Sequence, residues 1–243
     1  MGNCVFDLEV DGDILRVLSD PSVATLTELG EWTPASVLDD VIAGGEAALI
    51  DCGALIKGFS NDAVAAKLGA GAKKPVAFIS VSGEHLVLDG DVSVPLAQSG
   101  VKPADRLTFY DHVHTTGTDI KQAPTARAAI TVGKDTTFRD FAQGAYRMRQ
   151  IGQGQKLRVI APPEVTHAAG RTLEDVLIWL LRAADRAEQD KMLLNVEQQF
   201  GMLWRRPAFE ALEKGQANAN SALIDKAHRA ANPAGEGCPP AKK

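Results

Sequence analysis

Residues 114 to 122 read His-Thr-Thr-Gly-Thr-Asp-Ile-Lys-Gln, and Asp111 and His112 come just before them. Three kinds of chemistry are open to such a stretch. Carboxylate and imidazole donors suit a metal such as zinc, which Asp111, His112 and His114 could ligate. On an extended strand His112 and His114 would point to the same face. Spacing marks no third or fourth ligand, however, so the reading carries no metal. A second possibility is nucleophilic: Cys52 in Ile-Asp-Cys-Gly with His112 or His114 as base. The third is a loop that grips a ligand through backbone and hydroxyls, with Gly117 allowing close approach and Asp119 accepting from a hydroxyl or an arginine. Side chains that merely fix such a loop by local hydrogen bonds are the structural alternative.

A second group of residues follows downstream. Thr137 and Asp140 form a capping box for a helix that Gly152 can end. At ~100° per residue, Phe138, Phe141, Ala142, Ala145 and Met148 share one face, which should pack on a sheet. Arg139, Gln143, Arg147 and Gln150 share the opposite one. Guanidinium and amide groups in a row suit a phosphate or a carboxylate. The same row would also serve as a plain solvated face.

The elements that must position these groups alternate. Apolar runs at 47–55, 75–81, 85–90, 106–113, 127–133 and 156–165 read as strands, the last stopped by prolines. A helix at 60–71, capped by Ser60 or Asn61 and stopped at Gly69, lies between the first two. This rhythm implies an α/β fold with a mostly parallel sheet and helices on its faces. In such sheets ligands bind beyond the carboxyl ends of the strands. Residues 1–45 read as an N-terminal extension, with a hairpin around Asp11-Gly12 and a short helix from Pro34 to Gly44. Residues 46–166 form the α/β lobe, and residues 167–230 a helical extension. In that extension Thr172 and Asp175 cap a long helix that Pro207 should stop or kink. Residues 231–243 read as a disordered tail.

The bulk numbers exclude several classes. A net charge of −5 carries no basic signature for nucleic acid, although a local basic groove stays open. The three cysteines, Cys4, Cys52 and Cys238, form neither a metal pair nor a disulfide framework, which fits an intracellular, cytoplasmic or nuclear setting. No apolar run approaches the ~18 residues that span a bilayer. Gly2 and Cys4 could carry lipids, but Phe6 replaces the Ser or Thr of a myristoylation signal.

The order strand, Thr-Thr-Gly-Thr-Asp-Ile-Lys-Gln, strand, Gln-Gly-Ala-Tyr-Arg-Met-Arg resembles the last motifs of the second RecA-like lobe of superfamily-two helicases. Gly117 and Asp119 match its Gly-x-Asp loop; Gln143 and Arg147 match the start of its Gln-x-x-x-Arg-x-x-Arg helix. The seventh position after the glutamine is Gln150, and Arg149 lies one residue earlier, about 200° around a helix from Arg147. Arg149 can therefore act as a catalytic arginine only if the helix end is distorted. No Gly-x-x-x-x-Gly-Lys-Ser/Thr phosphate loop is present. The resemblance implies that ATP with magnesium would need a missing N-terminal partner lobe, and that this chain alone is catalytically incomplete.

At family level, AALIDCGALIKGFSN, FYDHVHTTGTDIKQ, GKDTTFRDFAQGAYRMRQIGQGQ, PPEV and WRRPAF together resemble the C-terminal region of very large eukaryotic proteins. Those proteins carry domains of unknown function and are named as ubiquitin thioesterases or ubiquitinyl hydrolases. The resemblance spans roughly residues 46 to 210. It implies a fragment or short relative of a larger protein, ubiquitin or nucleic acid as partners, and a deubiquitinase or a non-catalytic scaffold as alternatives to the helicase-like lobe.

Overall fold

The structure, a computed structural model, describes residues 8–213. Helix α1 (Leu8–Leu18) leads to β1 (Ala24–Glu28), then α2 (Pro34–Gly44), β2 (Ala48–Ile50), α3 (Asn61–Ala72) and β3 (Val76–Ile79). An antiparallel hairpin of β4 (His85–Asp89) and β5 (Val92–Pro95) follows. The remainder is β6 (Leu107–Tyr110), β7 (Arg127–Thr131), α4 (Phe138–Ala145), β8 (Lys156–Ala161), α5 (Pro163–Ala169) and α6 (Leu173–Glu213). One eight-stranded sheet runs β1-β8-β7-β2-β6-β3-β4-β5, parallel from β1 to β3 and antiparallel through the hairpin. The α/β class expected from the alternating pattern is the one observed.

Strand residues alternate between two cores, as the period of two requires. Leu49 faces α2 and α3, against Leu38, Val41, Val64 and Leu68. Ala48 and Ile50 face the other layer, with Phe141 and Ala145 of α4 and Val176, Leu177 and Leu180 of α6. The inner parallel strands are largely buried on both faces, which is why they read as continuous apolar runs.

The chain divides into two units after Ala184. In the first, β1 pairs with β8, so residues 24–28 are an edge strand of the sheet and not part of an extension. In the second, α6 exposes Met192, Leu193, Val196, Phe200 and Leu203. Among the described residues, no helix is long and apolar enough to cross a membrane.

Several local expectations need correction. Residues 8–18 are helical, not a hairpin. Apolar residues at 8, 14, 15 and 18 carry a helical period, and Leu18 is fully buried by it. Helix α3 passes Gly69 and ends at Ala72, with Lys73 in the left-handed conformation. Pro162 does end β8, but Pro163 starts α5, where a missing N–H is harmless. Helix α6 begins at the expected Thr172–Asp175 capping box and runs through Pro207 to Glu213. The amino-terminal lipidation signals and the 231–243 tail lie outside the described residues.

Candidate functional site

The sheet changes direction at β2. Its neighbours are β6 on one side and β7 on the other, and the chain crosses over β2 in passing between them. Helix α3 follows β2 on one face and α4 follows β7 on the other, the kind of switch point where open α/β sheets form a crevice at the carboxyl ends of the strands. Two glycines let the loops after β2 and β7 touch: a Cβ on Gly53 would lie 2.6 Å from the backbone N of Gly133.

Asp51 follows β2 directly and is 2% exposed. Its carboxylate accepts from Thr131 Oγ1 at 2.7 Å and from the N–H groups of Leu55 at 2.9 Å and Ile56 at 3.1 Å. Burial pushes its pKa up; the Thr131 hydroxyl, the two amides and the nearby His112 work in the other direction. A 210 Å³ pocket opens beside it, lined by Asp111, His112, Lys57, Phe59 and Asn61 among others.

His112 and His114 do not share a strand face. Strand β6 ends at Tyr110, and residues 112–115 form a 3₁₀ turn. His112 lines the pocket, whereas His114 Nδ1 lies 2.6 Å from Asp111 Oδ1. Among the described residues, no group of three or more His, Cys, Asp or Glu is placed to hold a metal ion.

Cys52 is buried under α4. Its thiol donates to the Asp140 carbonyl at 3.7 Å. Burial, then the Asp51 and Asp140 carboxylates, push its pKa well above the ordinary thiol range, with Arg147 opposing. The group is a neutral thiol, not a poised thiolate. Gly144 is the residue that admits it, since a Cβ there would overlap Sγ. Gly144→Ala should cost about 1 to 3 kcal/mol by overpacking, and Cys52→Ala should restore most of that loss in urea melts. Native wild-type protein should likewise leave Cys52 unmodified by iodoacetamide at pH 8, where a thiolate nucleophile would react.

The second half of the site joins the loop after β6 to the end of α4. The helix starts at the predicted Thr137–Asp140 capping box and buries Phe138, Phe141, Ala145 and Met148. It does not reach Gly152. After Ala145 the chain tightens into i→i+3 bonds, Arg147 N–H to Gly144 O at 3.0 Å and Met148 N–H to Ala145 O at 2.9 Å. The row Arg139, Gln143, Arg147, Gln150 is thus not one helical face. The tightening frees Arg149 from helical geometry and turns it toward the loop.

Both arginines then meet the Gly117–Asp119 segment. Arg147 donates to the Thr118 carbonyl and, through Nε, to the Gln143 carbonyl at 3.2 Å. Arg149 Nη2 lies 3.2 Å from Asp119 Oδ2, with both side chains more than half exposed. Gly117 serves conformation here and not close approach: its φ is +77° and a Cβ would meet nothing. Tyr110 anchors the descending part of the loop, its hydroxyl donating to Ile120 O at 3.0 Å and accepting from Ile120 N–H at 3.1 Å. The structure thus brings Arg147 and Arg149 to the Gly117–Asp119 segment, with Gln143 contributing its backbone carbonyl, and leaves Cys52 in the core.

Sequence reading passed over Asp51, Thr131 and Tyr110. The signal for Asp51 was an aspartate at the end of a fully apolar strand, with a glycine two residues on.

Compared with protein families, curated proteins and solved structures, the chain matches none.

Proposed function

We propose that this chain is a helicase-like second lobe, a nucleotide- or partner-lobe-binding module of a larger protein that is not catalytically complete alone. The observation that carries this reading is the meeting of Arg147 and Arg149 with the Gly117–Asp119 loop. These residues lie far apart in sequence, and an arrangement of guanidinium groups around a Gly-x-Asp turn suits a phosphate or an acidic partner surface. Arg147 is held by two carbonyls and acts as a positioning residue. Arg149 and Asp119, half exposed, are the groups a ligand can reach. A RecA-like origin for the sheet belongs to the same proposal, as does ATP with magnesium supplied across a missing lobe. Asp119 is engaged by Arg149 and is not by itself a metal site.

A deubiquitinase role has less support within these residues, because Cys52 is a buried neutral thiol. Asp119→Ala should weaken ATP binding about tenfold or more, the loss expected when a nucleotide hydroxyl no longer donates to a carboxylate. Its melting temperature should stay near wild type, since the side chain is 55% exposed. Isothermal titration calorimetry with thermal melts reads both.

A further inference from the structure

Beside the Asp119–Arg149 pair lies a cleft of about 530 Å³, within the usual range for small-molecule sites. Its apolar lining comes from Pro103, Ala104, Ala123 and Pro124, and Lys102, Lys121 and Arg149 line it as well. Among the described residues neither lysine lies within ion-pairing distance of a carboxylate. The walls are built in advance. Arg106, itself 5% exposed, donates to Val101 O at 3.0 Å and Lys121 O at 2.9 Å, tying two walls together. Gln155, 2% exposed, donates to Ala123 O at 2.8 Å and accepts from Gln150 N–H at 2.8 Å, tying two more. A preformed cleft loses little entropy when it binds.

The one carboxylate in the cleft is Asp119, and its engagement is incomplete. Arg149 Nε and Nη2 both reach the same oxygen, Oδ2, at 3.3 and 3.2 Å. A guanidinium prefers two parallel bonds to two oxygens, which a phosphate supplies. We propose that this cleft binds a small phosphate monoester carrying a flat apolar body. The body lies against the proline and alanine lining, and the phosphate takes Arg149 from Asp119 with Lys102 and Lys121 as further partners. Asp119 is then an internal competitor that holds Arg149 in place when no ligand is bound. The proposal shares residues with the lobe reading but does not rest on it, because Lys102, Pro103 and Ala104 lie outside the helicase-like motifs.

Phenyl phosphate is the probe, with inorganic phosphate and phenol as its halves, titrated calorimetrically into the full chain at low salt. Phenyl phosphate should bind at least about tenfold tighter than either half. Lys102→Ala with Lys121→Ala should weaken it about tenfold or more, and Asp119→Asn should tighten it about threefold. All three positions are exposed, so thermal melts should match wild type. No binding of phenyl phosphate, or binding that the lysine changes leave untouched, overturns the proposal. So does weaker binding in Asp119→Asn. Retention of ATP binding in the double lysine variant, with loss in Asp119→Ala, would leave the lobe reading standing while the cleft proposal fell.

Discussion

Replacing Arg158 with methionine should lower the unfolding free energy by about 3 to 5 kcal/mol, the cost of stripping a buried carboxylate of its partner. The carboxylate is Glu46, whose side chain is fully buried. Arg158 Nε lies 2.7 Å from Glu46 Oε1 and its Nη1 lies 2.7 Å from Asp40 Oδ2. Arg127 adds a third contact at 3.1 Å, half exposed and so a weaker substitute. Glu46 Oε2 has no hydrogen-bond partner among the described residues, so little else can absorb the charge. Gly44 leaves the space the carboxylate fills. The pair joins α2 and β2 to β8 across the sheet. Glu46→Gln alone should also destabilise, but adding it to Arg158→Met should cost less than the sum of the two. A coupling of about 1 to 3 kcal/mol in a urea-melt double-mutant cycle is expected. Additive effects would mean that the two side chains do not depend on each other.

Asp51→Ala should cost nearly as much, about 3 kcal/mol or more, because three buried donors lose their acceptor together. The conservative change to asparagine tests its charge. Burial raises the folded-state pKa of Asp51 above the ordinary aspartate value of 3.8. The native state therefore binds the proton more tightly than the unfolded chain. That contribution to stability is fully present below about pH 3.8 and is lost as pH rises through the raised folded value. An asparagine side chain does not titrate, so the stability difference between wild type and Asp51→Asn should change over that window, wild type losing ground as pH rises. Urea melts from pH 4 to pH 8 read it. A difference that stays flat across the range would show that the folded pKa of Asp51 is not raised.

The fold was largely legible because its signals are long and redundant. Five inner parallel strands read as apolar runs, and Ser60, Thr137 and Thr172 stand at true helix starts. What failed was short or tertiary in origin. Asp11-Gly12 resembles a hairpin turn, but Leu18 gains more by burial on the sheet than the pair gains by turning. The four-residue strand β5 has too little pattern of its own and is set by its partner β4. Near the candidate site, Gly117, Asp119 and Arg147 stand out in the sequence through the helicase-like resemblance, and the structure sets Arg147 against Thr118 and Arg149 against Asp119. The end of α4 was not, because Met148 going into the core and Arg147 reaching Thr118 decide it, and both partners are distant in sequence. Asp51 carried no periodic signal at all. Its importance comes from Thr131, eighty residues away.

The central claim is that the Gly117–Asp119 loop and the arginines beside it form a ligand surface. Its most direct test is calorimetric titration of the full chain with ATP and magnesium, for wild type and for Asp119→Ala. Wild type should bind measurably, and the variant should lose at least about tenfold in affinity with an unchanged melting temperature. No binding by wild type, or equal binding by both proteins, would contradict the claim.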